Sequence, residues 1–90
     1  MRQGTLLGSK MDVTQWCDDV STVQEIVLRG RDHSLSELLR MGCHWVPATM
    51  PATAEVVEVV EEYEIGGGVW ELVRIRIDGA EKDGFTLVRR

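Results

Sequence analysis

Residues 56–77 have the sequence VVEVVEEYEIGGGVWELVRIRI, and this stretch decides the fold. Two segments rich in valine and isoleucine, residues that favour β-strands, flank the three glycines at positions 66–68. Glycine adopts the positive φ angles of a tight turn without a steric penalty. The pattern therefore predicts a long antiparallel β-hairpin whose turn is formed by the glycines.

The alternation of side chains predicts how the two strands pair. A three-residue loop gives the pairs Ile65–Val69, Val59–Ile75, Val57–Ile77 and Glu58–Arg76. One face of the hairpin is then aliphatic and the other carries an ion pair. A two-residue loop would place Val59 opposite Arg74 and mix the faces, so we expect the longer loop.

The first strand of this hairpin is acidic. Its carboxylates, with no Lys or Arg among them, are Glu55, Glu58, Glu61, Glu62 and Glu64. The net charge is −1 over residues 1–45 and −4 over residues 46–90. An excess of negative charge attracts a basic protein surface and repels a phosphate backbone. The alternative is that these carboxylates form only a solvated face of the sheet.

Residues 12–45 are predicted to be helical. A helical stripe with gaps of three and four contains Val13, Trp16, Cys17, Val20, Val23 and Val27. We expect a helix here, either continuous or broken near residues 18–21, and a strand over residues 24–29 is the alternative because valines lower helix propensity. A second short helix is predicted after Ser34, which with Glu37 has the form of a capping box, and Gly42 ends it.

The remaining segments complete one domain over residues 1–90. Residues 1–11 show little periodicity and are expected to be a flexible lead-in, and residues 46–54, which contain two prolines, an extended connector. A third strand is predicted over residues 84–90. The predicted fold class is α+β, with N-terminal helical segments packed on one face of a three-stranded antiparallel β-meander formed by residues 55–90.

Composition limits the class of protein. Ninety residues provide a single modest core, and self-association into a homodimer is one common remedy for the low stability of such a core. The chain has no apolar run long enough to span a membrane, no signal-peptide pattern and no Asn for N-glycosylation. Two cysteines do not make a disulfide framework. We therefore expect a cytoplasmic protein that does not bind membranes.

Residue types that bind metals or catalyse reactions do not form a recognisable motif. The four candidate zinc ligands are Cys17, His33, Cys43 and His44. Structural zinc sites usually contain ligand pairs two to four positions apart, whereas two of these residues are adjacent and the others are distant. Buried thiols and surface imidazoles are the expected roles. We predict no metal, no cofactor and no enzymatic activity.

Three tryptophans in a short chain suggest a role in recognition. We expect Trp16 in the core and Trp45 over the seam between helices and sheet. Trp70 shares a face with Glu58 and Arg76 in the predicted hairpin. The sequence thus predicts a protein-binding adaptor or inhibitor that docks on a basic surface of another protein, and a surface that ordinarily binds nucleic acid is one candidate. The predicted contact residues are Glu58, Glu62, Glu64, Trp70, Arg74 and Arg76.

The alternative is a DNA-binding regulator. Short helices followed by a hairpin resemble a winged helix-turn-helix in the order of their elements only. A basic patch would then form from Arg29, Arg31 and Arg40. Because the acidic hairpin would be a poor wing against phosphate, we expect no direct contact with nucleic acid.

Overall fold

The computed structural model describes residues 7–29 and 35–89 of the chain. The strands in these residues are β1 (Lys10–Val13), β2 (Gln15–Cys17), β3 (Cys43–Trp45), β4 (Ala52–Ile65), β5 (Gly68–Ile77) and β6 (Gly84–Arg89). Two helices, α1 (Val20–Arg29) and α2 (Leu35–Arg40), lie between β2 and β3 in the sequence.

All these strands form one antiparallel sheet in the order β1-β4-β5-β6-β2-β3. Only Thr14 separates β1 from β2 in the chain, yet β1 pairs with β4 and β2 pairs with β6 and β3. The sheet therefore curls, so that the bent strand formed by residues 10–17 contacts strands from both ends of the central β4-β5-β6 unit. The result is a half-barrel with two short helices.

The predicted architecture of helices on a three-stranded meander is wrong. β4, β5 and β6 do pair consecutively, but they are the centre of a six-stranded sheet. The first helix begins only at Val20, because the residues before it form β1 and β2. The alternative of a strand over residues 24–29 is also wrong, since α1 covers them. The flexible lead-in predicted over residues 1–11 is wrong at its end, because β1 begins at Lys10. Residues 1–6 lie outside the described part of the chain.

Other predicted elements agree with the structure more closely. α2 confirms the second helix, although its predicted capping residue Ser34 lies outside the described residues. Gly42 follows it with a φ of 83°, which only glycine adopts readily. The predicted connector is shorter than expected, because β4 begins at Ala52. The third predicted strand is β6.

The misleading helical spacing has its cause in the bend at Thr14. In a straight strand, side chains on one face recur at every second residue. The bend shifts this alternation by one residue, so Val13 and Trp16 pack in the same cluster although they are three positions apart. Cys17 then faces the opposite side of the sheet. A bent strand followed by a helix thus produces the gaps that were interpreted as one helix.

Buried side chains form two clusters, one on each face of the sheet. The strand-lined cluster consists of Val13, Ala54, Val56, Val73, Ile75 and Ile77. The helix-side cluster consists of Cys17, Val23, Cys43 and Leu72. The partly buried side chains that pack on the second cluster include Val20 and Ile26 of α1 and Leu38 of α2. In the described part of the chain, every side chain of the first cluster and every side chain packed on it lies in a strand, so the curl of the sheet shields this cluster from water.

Cys17 and Cys43 form a disulfide between β2 and β3, which corrects the prediction of two free buried thiols. The two residues are directly opposite each other in the ladder, and each is 3% exposed. They are 26 positions apart in the sequence, and both helices lie between them. The bond therefore ties the ends of the helical segment together at the edge of the sheet.

Candidate interaction surface on the β4–β5 hairpin

The predicted hairpin exists, but its turn is shorter than predicted. Ile65 pairs with Gly68, so Gly66 and Gly67 alone form the turn. Their φ angles are 58° and 79°, and positive values at both central residues characterise the tight turn preferred in hairpins. The predicted three-residue loop, with Ile65 opposite Val69, is wrong.

Two β-bulges explain why the shorter turn does not mix aliphatic and ionic side chains. The register shifts between Val56 and Glu58 and again between Val59 and Glu61. Each shift leaves one residue of β4 without a direct partner and changes which face the following residues occupy. As a result Val59 lies opposite Val73, and Glu58 lies opposite Arg74. The valine doublets at 56–57 and 59–60 make these shifts possible, because either member can face a core.

The base of the hairpin, defined as residues 54–59 and 73–77, carries paired charges. Nε of Arg74 lies 3.8 Å from a carboxylate oxygen of Glu58 and 3.7 Å from one of Asp83. Nε of Arg76 lies 3.9 Å from Asp83. On the next strand, Nζ of Lys10 lies 3.9 Å from Glu55 and 3.5 Å from Asp78. These side chains are 35–66% exposed, although Nε of Arg74 is itself buried, so each pair contributes little to stability. Each carboxylate of the base nevertheless has a basic side chain nearby.

The distal part of the hairpin, residues 61–71, is here called the acidic arm. It carries four glutamates, and the sequence contains no Lys or Arg between Arg40 and Arg74. The exposed glutamates of the arm are Glu61, Glu62 and Glu64. Glu71 is buried, with 2% of its surface exposed. In the described part of the chain, Arg89 of β6 places its guanidinium beside Gly68, at the distal end of the arm.

Glu61 has two neighbours on the helix side of the arm. Its carboxylate accepts a hydrogen bond from the side-chain amide of Gln24 in α1. Burial raises the pKa of the Tyr63 hydroxyl above its ordinary value, and the charge of Glu61 and a hydrogen bond to it raise that pKa further. Glu61 is therefore held in place by α1 and Tyr63, whereas Glu62 and Glu64 lie on the other face.

The six predicted contact residues lie on two faces rather than one. Trp70 and Arg74 are each two positions from Leu72, so they share its face, which is the helix side of β5. Their partners across the ladder lie on that face too. The predicted residues on the helix side are Glu58, Trp70, Arg74 and Arg76. Glu62 and Glu64 lie on the opposite face, with Glu71 and Val69 as their partners across the ladder. Trp70 is half-buried beside Tyr63 and Arg89.

The residues of the alternative DNA-binding patch are only partly described. Arg40 is exposed at the end of α2, and Arg29 is the last residue of α1. Arg31 lies outside the described residues. Two strands precede the helices, so the order of elements is not that of a winged helix-turn-helix. DNA binding through these arginines stays a prediction.

A polar cluster that the sequence did not indicate lies at the β2–β3 edge. Nε2 of His44 lies 2.8 Å from a carboxylate oxygen of Asp18, and the imidazole stacks on Trp16 with 5.5 Å between ring centroids. The ladder between β2 and β3 places these residues together, although they are far apart in the chain. Trp16 also packs over Gly84, while Trp45, expected over the helix–sheet seam, is 57% exposed.

The residues considered for zinc do not form a ligand set in the described part of the chain. Both cysteines are joined in the disulfide, and His33 lies outside the described residues. In residues 7–29 and 35–89, no three Cys, His, Asp or Glu side chains are arranged to hold a metal ion.

Comparison with known proteins gives no match among protein families, curated proteins or solved structures. Neither described helix has the length and apolar character needed to cross a bilayer.

Proposed function

We propose that this protein is a non-catalytic binding module, an adaptor or inhibitor, that docks its acidic arm on a basic surface of another protein. The observation that supports the proposal is the uneven balance of charge along one hairpin. At the base, Arg74 and Arg76 lie close to carboxylates, whereas the arm presents exposed carboxylates without a Lys or Arg of its own. A local excess of negative charge steers a positively charged partner towards the arm.

The two faces of the arm suggest the shape of the partner surface. Glu62 and Glu64 lie on one face, while Glu61 and Trp70 lie on the other. Beyond Val56, the outer edge of β4 pairs with no described strand. A basic cleft that receives the arm would contact both faces, whereas a flat surface would contact one. Such a cleft could be one that ordinarily binds nucleic acid.

The test is an affinity capture from the native host, with partners quantified by mass spectrometry. The double variant Glu62→Lys with Glu64→Lys should lose the captured partner, and the wild-type complex should weaken steeply as salt is raised. The matched control is Asp78→Lys with Glu81→Lys, which makes the same change of net charge at exposed positions away from the arm. If both double variants capture the same partner as the wild type, the arm is only a solvated surface.

The location and the oligomeric state are part of the proposal. We propose a cytoplasmic protein, which requires Cys17 and Cys43 to be reduced in the cell, because disulfides are rare in the cytosol. Acid quenching of intact cells, followed by alkylation under denaturing conditions that expose the two buried residues, should then modify both cysteines. Recovery of an unmodified disulfide would instead assign the protein to an oxidising compartment. A homodimer would be detected by sedimentation of the purified chain.

A further inference from the structure

A cavity of about 410 Å³ lies where the bent strand leaves β6. One wall is formed by residues 11–15 of the bent strand, and the opposite wall by residues 85–87 of β6. Val23 and Ile26 of α1 and the ring of Trp16 provide apolar surface between the walls. This volume is within the range of pockets that bind ligands.

Within the described part of the chain, the two walls are strand edges with no neighbouring strand. Among the described residues, β1 pairs only with β4, and β6 pairs with β2 only through Phe85 and Cys17. The hydroxyl of Thr86 donates a hydrogen bond to the carbonyl oxygen of Gln15, 2.9 Å away, and closes one end of the gap. Beyond this bond the bent strand turns towards β4. Backbone groups of β1 and of β6 on the sides facing the gap therefore have no ladder partner in residues 7–29 and 35–89.

The chemistry of the gap specifies its occupant. Unpaired strand edges are completed by the N–H and C=O groups of an extended chain, which a compact small molecule does not supply. The wall of the bent strand, residues 11–15, matches a short extended segment at about 3.3 Å per residue. Among the described lining residues, Asp12 is the single charged one, and it is exposed. It favours a segment that carries Lys or Arg.

We propose that this cavity binds an extended, Lys- or Arg-containing peptide segment of a partner protein, which inserts as a strand between β1 and β6. Main-chain hydrogen bonds to the two edges would supply affinity, and Asp12 would select the basic side chain. The site is separate from the acidic arm, so either surface could bind without the other.

The first test is selection from a displayed library of random peptides of about ten residues, panned against the intact protein. Selected peptides should alternate apolar residues with Lys or Arg. In the complex, amide hydrogen exchange measured by NMR should slow at those residues of β1 and β6 whose N–H groups face the gap, which alternate with the residues already bonded to β4 and β5. A selection that yields no binder, or binders that leave exchange at both edges unchanged, would overturn the proposal and leave a cavity for small apolar molecules or water.

Two matched comparisons separate strand insertion from other modes of binding. The selected peptide with N-methyl groups at alternate residues keeps its side chains but loses main-chain donors, and it should bind at least about tenfold more weakly. Asp12→Lys should weaken the unmodified peptide by about tenfold or more, while Glu64→Lys in the acidic arm should leave its affinity unchanged. Equal affinity of the methylated peptide, or equal loss in the two variants, would contradict the proposed site. If the Glu64→Lys variant binds the peptide as tightly as the wild type and yet loses the partner captured by the arm, the cavity and the arm act independently.

Discussion

The base and the acidic arm belong to the same two strands, but the base is packed in the core whereas most residues of the arm are exposed. At the base, Val56, Val73 and Ile75 are fully buried in the strand-lined cluster. The polar side chains there form ion pairs across β4, β5 and the turn that follows. In the arm, Glu61, Glu62 and Glu64 are exposed, and Ile65 next to the turn is 42% exposed.

This difference separates stability from recognition along one hairpin. Apolar area removed from water is the main favourable term in folding, so the base should dominate the free energy of unfolding. Exposed carboxylates contribute little to that free energy but determine the electrostatic potential that a partner meets. Substitutions in the two parts should therefore affect different measurements.

The largest expected effect is the loss of an aliphatic side chain at the base. Ile75→Ala removes a fully buried side chain and leaves a cavity, so the free energy of unfolding should fall by about 2–5 kcal/mol. The same substitution in the arm, Ile65→Ala, should cost no more than about 0.5–1 kcal/mol. Urea denaturation of both variants measures the difference. Similar losses in the two variants would mean that the arm is packed in the core as tightly as the base.

The turn provides a smaller effect that tests the register. Gly67 has a φ of 79°, and a side chain there would meet no atom within 4 Å, so Gly67→Ala adds backbone strain without a clash. We expect a loss of about 1–2 kcal/mol. Gly68 has no positive φ, and a Cβ there would meet only the flexible end of Arg89 at 3.4 Å.

Gly68→Ala is the matched control for the turn. It should be neutral or stabilise the fold by up to about 1 kcal/mol, because it reduces the entropy of the unfolded chain. Thermal unfolding of the pair decides between the two loops. A three-residue loop would make the substitution at Gly68 costly, whereas the observed two-residue turn makes only Gly67 and its neighbour Gly66 sensitive.

How far the sequence could predict this molecule is clear from the same hairpin. Long alternating strands and three glycines were sufficient to place the turn region, since local pattern and tertiary structure agree there. The register was not predictable from parity alone, because the valine doublets allow bulges that preserve the sorting of faces. Once a bulge intervenes, Glu62 and Glu58 no longer share a face.

The prediction for the N-terminal half was wrong for a different reason. β1, β2 and β3 have only three or four residues each, too few for a period of two to be recognised. Their stability comes from partners elsewhere in the chain, such as β4 and β6. The disulfide depends on the same long-range pairing, because Cys17 and Cys43 meet only when β2 lies beside β3.

Charge reversal of an exposed glutamate should have a smaller effect on stability, both in the base, at Glu58, and in the arm, at Glu64. Glu58→Lys replaces an ion pair with Arg74 by a like-charge contact, and should cost about 0.5–1 kcal/mol at low salt. Glu64→Lys breaks no ion pair within the arm, because the arm contains no Lys or Arg. It should change stability by less than about 0.5 kcal/mol. Chemical denaturation in urea at low and high salt distinguishes them, because about 1 M salt should remove most of the loss at Glu58. A loss that persists in salt would indicate a packing role for Glu58.

The smallest expected effect concerns the titration of the arm's tyrosine. Tyr63 is the chain's single tyrosine, so the ultraviolet absorbance of tyrosinate reports this residue alone. Because burial and Glu61 raise the pKa of the hydroxyl above 10.0, it should ionise at a higher pH in the folded protein than in the protein unfolded by urea. The folded state then binds more protons than the unfolded state above the unfolded pKa, so this contribution to stability is present below about pH 10 and is lost as pH rises through the folded pKa.

Two neighbouring glutamates provide the comparison within the arm. Glu61→Gln removes the charge that faces Tyr63 but keeps an oxygen acceptor, so the pKa of Tyr63 should fall towards its ordinary value. Glu62→Gln removes the same charge from the opposite face of β4 and should change that pKa less. Equal shifts in the two variants would mean that Tyr63 responds to the overall charge of the arm. A larger shift for Glu61 would show that Glu61 and Glu62 lie on opposite faces of the arm after both bulges, which is the geometry that the docking proposal requires.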